Sequence, residues 1–133
     1  FILIKIFDPF GYKFTQITLD EYVKLNKEDN GTTFIYVYND KQASGEVYSN
    51  IVKSVMENKQ TKVYALDYNT LKNDKETKKF IEANSVVKAA AENNEGYTVP
   101  MVLLLENGEV KASIMGTVEK SQFETFVKDN NIK

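Results

Sequence analysis

The sequence predicts one α/β domain over residues 1–133, with a mixed central sheet and helices on both of its faces. Runs rich in β-branched and aromatic residues alternate with amphipathic helical patterns, an order typical of parallel strands joined by helices. Asn107-Gly108 lies between two apolar runs and predicts a β-hairpin near the C-terminus. A length of 133 residues is ordinary for a single compact domain.

The N-terminal residues predict a β extension of this sheet. The FILIKIF segment at 1–7 has the composition of a strand. The DPFG segment at 8–11 has proline second and glycine fourth, as in a β-turn. Residues 12–17 alternate weakly between two faces. We therefore expect the two runs to form an N-terminal hairpin.

Thr18 and Glu21 form a capping-box pattern that begins the first helix. We expect this helix to end near Asn30-Gly31, because glycine commonly follows a helix C-terminus. The apolar TFIYVY run at 33–38 predicts a central strand that is covered on both faces. A polar loop over 39–45 follows it.

A second helix is predicted over about 45–58, and a strand follows at 62–68. This helix carries apolar residues at helical spacing, namely Val47, Ile51, Val52, Val55 and Met56. An elongated helix is predicted over about 75–93, and Asn84-Ser85 marks a point where it could bend or split. The long segment either covers the sheet or presents a surface to a partner, and we favour the covering role.

The C-terminal region is predicted as a hairpin and a last helix. The segment over 97–106 contains its first strand, which begins at Val99-Pro100. Its return strand covers 109–115. The last helix is expected over about 119–129. Four phenylalanines have the spacing of core residues: Phe34, Phe80, Phe123 and Phe126.

The composition excludes several classes of function. Cysteine and histidine are both absent, which removes thiol nucleophiles, disulfides, thiolate metal sites and His-based triads. The net charge is −2, so nothing favours nucleic acid as a partner. No apolar run approaches the roughly 20 residues needed to span a bilayer. We expect no cofactor and no metal site.

Three weaker patterns each allow two interpretations. Ser44 is either the N-cap of the second helix or a nucleophile, and the absence of histidine favours the cap. The polar residues from Asp67 to Asp74 are either calcium ligands or a strand-to-helix connection, and the lack of an EF-hand glycine and glutamate favours the connection. Tyr36 and Tyr38 share one strand face; a central strand favours core positions over a platform for peptide or sugar.

The C-terminal part of the chain resembles thioredoxin. The similar residues are the VPMVLLLENGEV segment at 99–110, Gly116 and the SQFE segment at 121–124. They look like that family's cis-proline, strand, Asn-Gly turn, strand, glycine and final helix. The resemblance extends over residues 33–133, about three-quarters of the chain. It implies a thioredoxin-like three-layer sandwich in which the Val99–Pro100 peptide bond is cis.

The chain departs from this family at the redox site. The family's Cys-x-x-Cys motif corresponds to the QASG segment at 42–45, and Lys41 replaces the aromatic residue before it. Tyr36 stands where the family has a buried acid, and Val63 where it has the lysine often paired with that acid. Because the cysteines and their supporting charges are missing together, the resemblance implies a natural non-redox member without catalytic residues.

The resemblance also implies a groove for a protein or peptide partner. The corresponding positions are Lys41, Gln42, Ala43, Ser44, Gly45, Val99, Pro100, Gly116 and Thr117. The residue before a cis-proline leaves its backbone groups open, so an extended peptide can pair there. We therefore expect a non-catalytic protein-binding or assembly domain. The alternatives are a structural spacer domain of a larger exported protein and a non-redox enzyme that uses the same cleft.

The absence of cysteine also bears on location. It fits an exported protein of a Gram-positive bacterium, where stray thiols are a liability. Extracytoplasmic domains that resemble thioredoxin are common in such organisms, so we expect an extracytoplasmic or cell-surface location, with a cytoplasmic one as the alternative. The sequence begins with Phe1 rather than Met, so a signal peptide or anchor could precede it. We expect membrane contact only through such an anchor.

Overall fold

The computed structural model describes residues 14–28, 31–39 and 43–133. The strand and turn predicted at 1–7 and 8–11 lie outside the described residues, so the N-terminal hairpin stays a prediction. The strands are β1 (Phe14–Ile17), β2 (Thr32–Tyr38), β3 (Val63–Asp67), β4 (Met101–Glu106) and β5 (Glu109–Met115). The helices are α1 (Leu19–Leu25), α2 (Ala43–Met56), α3 (Asp74–Glu82), α4 (Ser85–Glu92) and α5 (Lys120–Asp129), and a 3-10 turn spans Tyr68–Thr70.

The described strands form one mixed sheet in the order β1-β3-β2-β4-β5. β1 and β2 both run parallel to β3, while β4 runs antiparallel to β2 and to β5. The predicted parallel pair and the C-terminal hairpin are therefore confirmed. Residues 14–17 of the weak strand pattern form β1, which is the outermost of the described strands on the β3 side.

The central strand β2 supplies both cores of the domain. Phe34, Tyr36 and Tyr38 face the cluster formed with α2 and α5. Ile35 and Val37 face the opposite cluster, formed with α1, α3 and α4. Successive strand residues point to opposite faces, so a continuous apolar run is what a strand covered on both sides requires. The result is the three-layer arrangement of helices, sheet and helices.

The segment predicted as one elongated helix over 75–93 is two helices, because it splits at Asn84. The backbone of Asn84 is extended (φ −148°, ψ 159°), and its side chain accepts a hydrogen bond from the Val87 N–H as the N-cap of α4. Its Nδ2 also donates to the Tyr22 hydroxyl at 3.0 Å and to Asn26 Oδ1 at 3.1 Å. Bonds to a distant helix thus stabilise the break that the local pattern only suggested.

Other helix boundaries differ from expectation by a few residues. The capping box at Thr18 is present, but α1 ends at Leu25 rather than near Asn30-Gly31. The side-chain amide of Asn26 donates to the carbonyl of Tyr22 at 2.9 Å and so closes the last turn. Phe126 is only partly buried, whereas the other three expected core phenylalanines are fully buried. None of the described helices is long and apolar enough to cross a bilayer.

The β4–β5 turn is attached to the segment that leads into β2. Asn107 and Gly108 both have positive φ (55° and 83°), as the predicted two-residue hairpin turn requires. The Asn107 N–H donates to the Gly31 carbonyl at 2.9 Å. A Cβ added to Gly108 would lie 2.8 Å from the Glu28 carbonyl oxygen. Glycine is therefore required here by close approach as well as by conformation.

Candidate functional site

Two of the predicted groove segments meet at the end of the sheet where β4 begins. The Val99–Pro100 peptide bond is cis, and the Gly116 N–H donates to the Pro100 carbonyl at 2.8 Å. Gly116 has φ +86°, and a Cβ added there would lie 3.6 Å from the Thr98 methyl group. The loop after β5 is therefore fastened directly to the segment before β4.

The first turn of α2 is the third segment of the predicted groove. Ala43, Ser44 and Gly45 lie in this turn, whereas Lys41 and Gln42 lie outside the described residues. Ser44 is not the N-cap, because the helix already begins at Ala43. Its backbone is helical, while an N-cap residue has non-helical backbone angles.

The loop and α2 share a small apolar cleft of about 420 Å³. Thr117 and Val118 line one side of it, and Val47, Tyr48 and Ile51 line the other. The sequence pattern placed Val47 in the apolar stripe of the helix, but its side chain is 61% exposed. The first turns of α2 thus present an apolar residue to solvent beside the predicted groove, which helical periodicity alone did not reveal.

The backbone of Val99 provides hydrogen-bonding groups in this region. Among the described residues, no partner hydrogen-bonds to its backbone N–H or carbonyl. Its side chain packs partly buried against the core, whereas Thr98 before it is exposed. A backbone N–H and carbonyl to which no described residue bonds can pair with an added peptide segment.

The tyrosines beneath the groove are core residues, as the sequence favoured. Tyr36 and Tyr38 are 0% and 4% exposed, and their rings stack with centroids 5.9 Å apart. The Tyr36 hydroxyl shares a 2.8 Å hydrogen bond with the Ser49 hydroxyl, and the Tyr38 hydroxyl accepts from the Gln16 side chain at 2.8 Å. They do not form a platform for a ligand.

Tyr48 differs from these neighbours. Its hydroxyl is buried and has no hydrogen-bond partner within the part of the chain that the structure describes. Burial raises the pKa of this hydroxyl well above its ordinary value, and the nearby Tyr36 adds to the increase. The group is therefore a neutral donor at ordinary pH, and none of the described residues offers it an acceptor. No local sequence signal around Tyr48 marks an unpaired core hydroxyl, so sequence reasoning missed this residue.

The acidic and amide residues after β3 hold the backbone rather than a ligand. The Asp67 carboxylate accepts from the Asn69 N–H at 2.9 Å, and the Asn73 side chain accepts from the Glu76 N–H as the N-cap of α3. These bonds support the interpretation of a strand-to-helix connection. No group of three metal-binding side chains occurs among the described residues.

Neither a family model nor a curated protein matches this sequence. Solved structures do match it. Thioredoxin O2 from Arabidopsis thaliana aligns with a TM-score of 0.56 over 88% of this chain and 93% of its own, at 15% identity. The fold is that of thioredoxin. A mutant thioredoxin from Halobacterium salinarum gives 0.53 over 92% of both chains at 16% identity, and thioredoxin from Aeropyrum pernix gives 0.55 over 86% and 84% at 11%.

Identities this low establish the thioredoxin fold and nothing about activity. The chemistry must therefore be argued from the residues of this chain. The 133 residues contain no cysteine, so thioredoxin-type dithiol exchange has no sulfur to act through. Among the described residues of the predicted site, the structure joins the segment before β4 to the loop after β5 through the bond from Gly116 to Pro100.

Proposed function

We propose that this domain is a non-catalytic binding domain that holds an extended segment of a partner protein. The segment lies across the groove formed by Val99-Pro100, Gly116-Thr117 and the start of α2. The observation that carries the proposal is that no described residue hydrogen-bonds to the Val99 backbone, which adjoins the bond from the Gly116 N–H to the Pro100 carbonyl. Lys41 and Gln42 belong to the same groove in this proposal.

The groove offers both kinds of contact that an extended peptide needs. The Val99 N–H and carbonyl supply main-chain hydrogen bonds, which give affinity without sequence preference. The cleft lined by Val47, Ile51 and Val118 supplies a place for an apolar side chain of the bound segment. The absence of a thiol removes a covalent step but leaves these contacts available.

The spacer and enzyme alternatives predict different behaviour. A spacer domain has no partner, so changes in the groove alter nothing beyond stability. A non-redox enzyme would use a nucleophile such as Ser44, which an activity-based probe would label. Ser44 has no histidine available to activate it. We therefore place binding before both alternatives.

The test begins with peptides selected from a displayed random library on the intact domain, followed by titration of the best binder. We expect Gly116→Glu to weaken binding about tenfold or more, because it places a long side chain in the groove. We expect Val99→Arg to weaken it as well, because the Val99 side chain packs partly buried against the core and its replacement shifts the backbone that pairs with the peptide. The matched control is Gly96→Glu. Gly96 also has positive φ (70°), but no atom lies within 4 Å of its Cβ position, and it lies outside the groove.

A second measurement separates backbone pairing from simple contact. Methylation of one backbone nitrogen in the bound peptide removes a single donor, and we expect one position to abolish binding while its neighbours do not. If the two groove variants bind as wild type does, or if Gly96→Glu weakens binding equally, the proposed groove is wrong. Selection of no binder at all would favour the spacer domain.

We also propose that the domain acts outside the cytoplasm, because its sequence contains no cysteine and stray thiols are a liability in exported proteins. The complete gene tests this directly. A signal peptide, lipobox or membrane helix before Phe1 supports export, whereas a start codon immediately before Phe1 contradicts it.

A further inference from the structure

A second cleft runs along α5 to the end of the sheet opposite the proposed groove. The groove forms where β2 ends, since Met101 pairs with Val37. The second cleft, of about 630 Å³, lies between the C-terminal half of α2 and the length of α5. It continues to Lys133, whose carbonyl accepts hydrogen bonds from the N–H and hydroxyl of Thr61, just before β3.

Its walls are α2, α5 and the short segments that follow each of these helices. After α5 the chain turns back through Asn131, which has φ 53°, and buries Ile132 against the core. Val55 of α2 and Val127 of α5 line the cleft together with Ile132. The cleft therefore has an apolar floor, and its far end is fixed by the bonds to Thr61.

The rim of this cleft is strongly basic. Lys59, Lys120, Lys128 and Lys133 line it, and Glu124 is the only acidic side chain that the described residues contribute. Lys120, Lys128 and Lys133 are exposed and make no ion pair with another described residue. This concentration of positive charge occurs in a chain whose net charge is −2. Unpaired like charges on one rim repel each other, and an anionic occupant would relieve that repulsion.

Other clefts of the molecule do not share this imbalance. Beside β1 and α3, the Lys79 ammonium pairs with the Asp20 carboxylate at 2.7 Å. The cleft next to α1 holds Glu21 and Glu28 as well as Lys24 and Lys62. The basic rim between α2 and α5 is therefore not a general property of a lysine-rich surface.

We propose that this cleft binds an acidic segment of a partner protein, with an apolar side chain on the floor and flanking carboxylates at the lysine rim. The volume suits a few residues, since pockets of about 300–1,000 Å³ hold ligands of that size. This surface is separate from the groove and stands independently of the proposed function.

A peptide fits this chemistry better than a phosphate group does. Phosphate sites usually converge backbone N–H groups or arginine forks on one point. The cleft contains no arginine, and the N-terminus of α5 is already capped by its own Glu119 and Gln122 side chains. Lysines spread around an apolar floor match several separate carboxylates instead.

The probe is an acetylated, amidated peptide with two glutamates on each side of a leucine. It is titrated into the isotopically labelled domain at about 20 mM salt, where surface charges are weakly screened. We expect backbone amide shifts at Asn58, Lys128 and Ile132, and none at Gly116. The same peptide with serine in place of leucine should bind more weakly, because it leaves the floor uncovered.

The decisive variant is Lys120→Glu combined with Lys128→Glu, which we expect to weaken binding about tenfold. The matched control, Lys75→Glu with Lys78→Glu on exposed positions of α3, changes the net charge by the same amount. Near-ultraviolet circular dichroism confirms that both variants fold.

Three results would overturn the proposal. The first is that no shifts occur at the cleft at millimolar peptide. The second is an equal loss of binding in the control variant, which would mean that net charge alone attracts the peptide. The third is that inorganic phosphate gives the same shifts at the same concentration, which would make the cleft a general anion site.

Discussion

The two faces of the sheet bury tyrosine in different ways. On the face covered by α1, α3 and α4, Tyr22 is fully buried and its hydroxyl accepts a hydrogen bond from Asn84. On the face covered by α2 and α5, Tyr48 is 1% exposed and its hydroxyl has no partner among the described residues. Burial raises the pKa of both groups, and for Tyr22 the bonds with Asn84 and Asn26 partly oppose that effect.

The difference shows on which face the buried tyrosine hydroxyl finds a hydrogen-bond partner among the described residues. The network of Tyr22, Asn26 and Asn84 joins the end of α1 to the connection between α3 and α4, and it gives the polar side-chain atoms there hydrogen-bond partners. Among the described residues, the Tyr48 hydroxyl on the α2/α5 face stays unpaired. The cleft between α2 and α5 and the α2 side of the proposed groove both lie on this face. Stability and binding are therefore expected to respond to mutations on different faces.

The largest effect is expected from Asn84→Ala. It removes the N-cap of α4 and leaves the Tyr22 hydroxyl and the Asn26 side-chain oxygen without their donor, which together should lower the free energy of unfolding by about 3 kcal/mol. Urea denaturation measures it. Asn73→Ala is the matched control, because Asn73 caps α3 alone, and should cost about 1 kcal/mol. Equal losses would show that the network adds nothing to the cap.

Tyr22→Phe should have the next largest effect. The substitution keeps the ring, which stacks on Phe80 with centroids 4.9 Å apart, and removes only the hydroxyl. The Asn84 amide then loses one acceptor, and we expect a loss of about 1.5 kcal/mol. A variant as stable as the wild type would contradict the stabilising role of this hydrogen-bond network.

Tyr48→Phe should change stability in the opposite direction. An unpaired buried hydroxyl destabilises the folded state, so its removal should raise the free energy of unfolding by about 1 kcal/mol. The same denaturation experiment measures it, with Tyr22→Phe as the paired comparison. A loss of stability instead would mean that the hydroxyl has a partner in solution, and the contrast between the faces would fail.

The smallest effect is a change in alkaline sensitivity. The pKa of Tyr48 is raised in the folded state, while the unfolded chain ionises this group near its ordinary value of about 10. Ionisation of Tyr48 in the unfolded chain therefore has no effect on stability well below about pH 10. As the pH rises above that value, it lowers the free energy of unfolding of the wild type. We expect the advantage of Tyr48→Phe over wild type to grow between about pH 9 and pH 11 and to stay constant below pH 8. Urea midpoints at several pH values test this.

Local chemistry was sufficient to predict much of the fold. The Thr18 capping box, the apolar run of β2 and the Asn107-Gly108 turn each depend on residues close in sequence, and each was found where it was expected. The split at Asn84 was only suggested, because its geometry depends on Tyr22 and Asn26, which are distant in sequence.

The candidate site was less accessible to sequence reasoning. The resemblance brought Val99-Pro100 and Gly116 together. Helical spacing put Val47 in an apolar stripe, but its side chain is 61% exposed. The residue type of Ser44 favoured a helix cap, but Ser44 lies inside the helix, so that prediction was wrong. Helical spacing shows which residues share one side of a helix. It does not show which of them extend past the sheet and stay exposed, as Val47 does. The basic cleft combines side chains from three segments, so no single stretch of sequence marks it.

The attachment of the β4–β5 turn has a practical consequence for engineering. Turn tips usually tolerate inserted tags or labels. At Gly108 an insertion would break the bond from Asn107 to Gly31 and force chain against the Glu28 carbonyl. At Gly96 the space around the Cβ position is open. A fluorophore or epitope placed in the α4–β4 connection should therefore leave the domain folded, and the hairpin tip should be left unchanged.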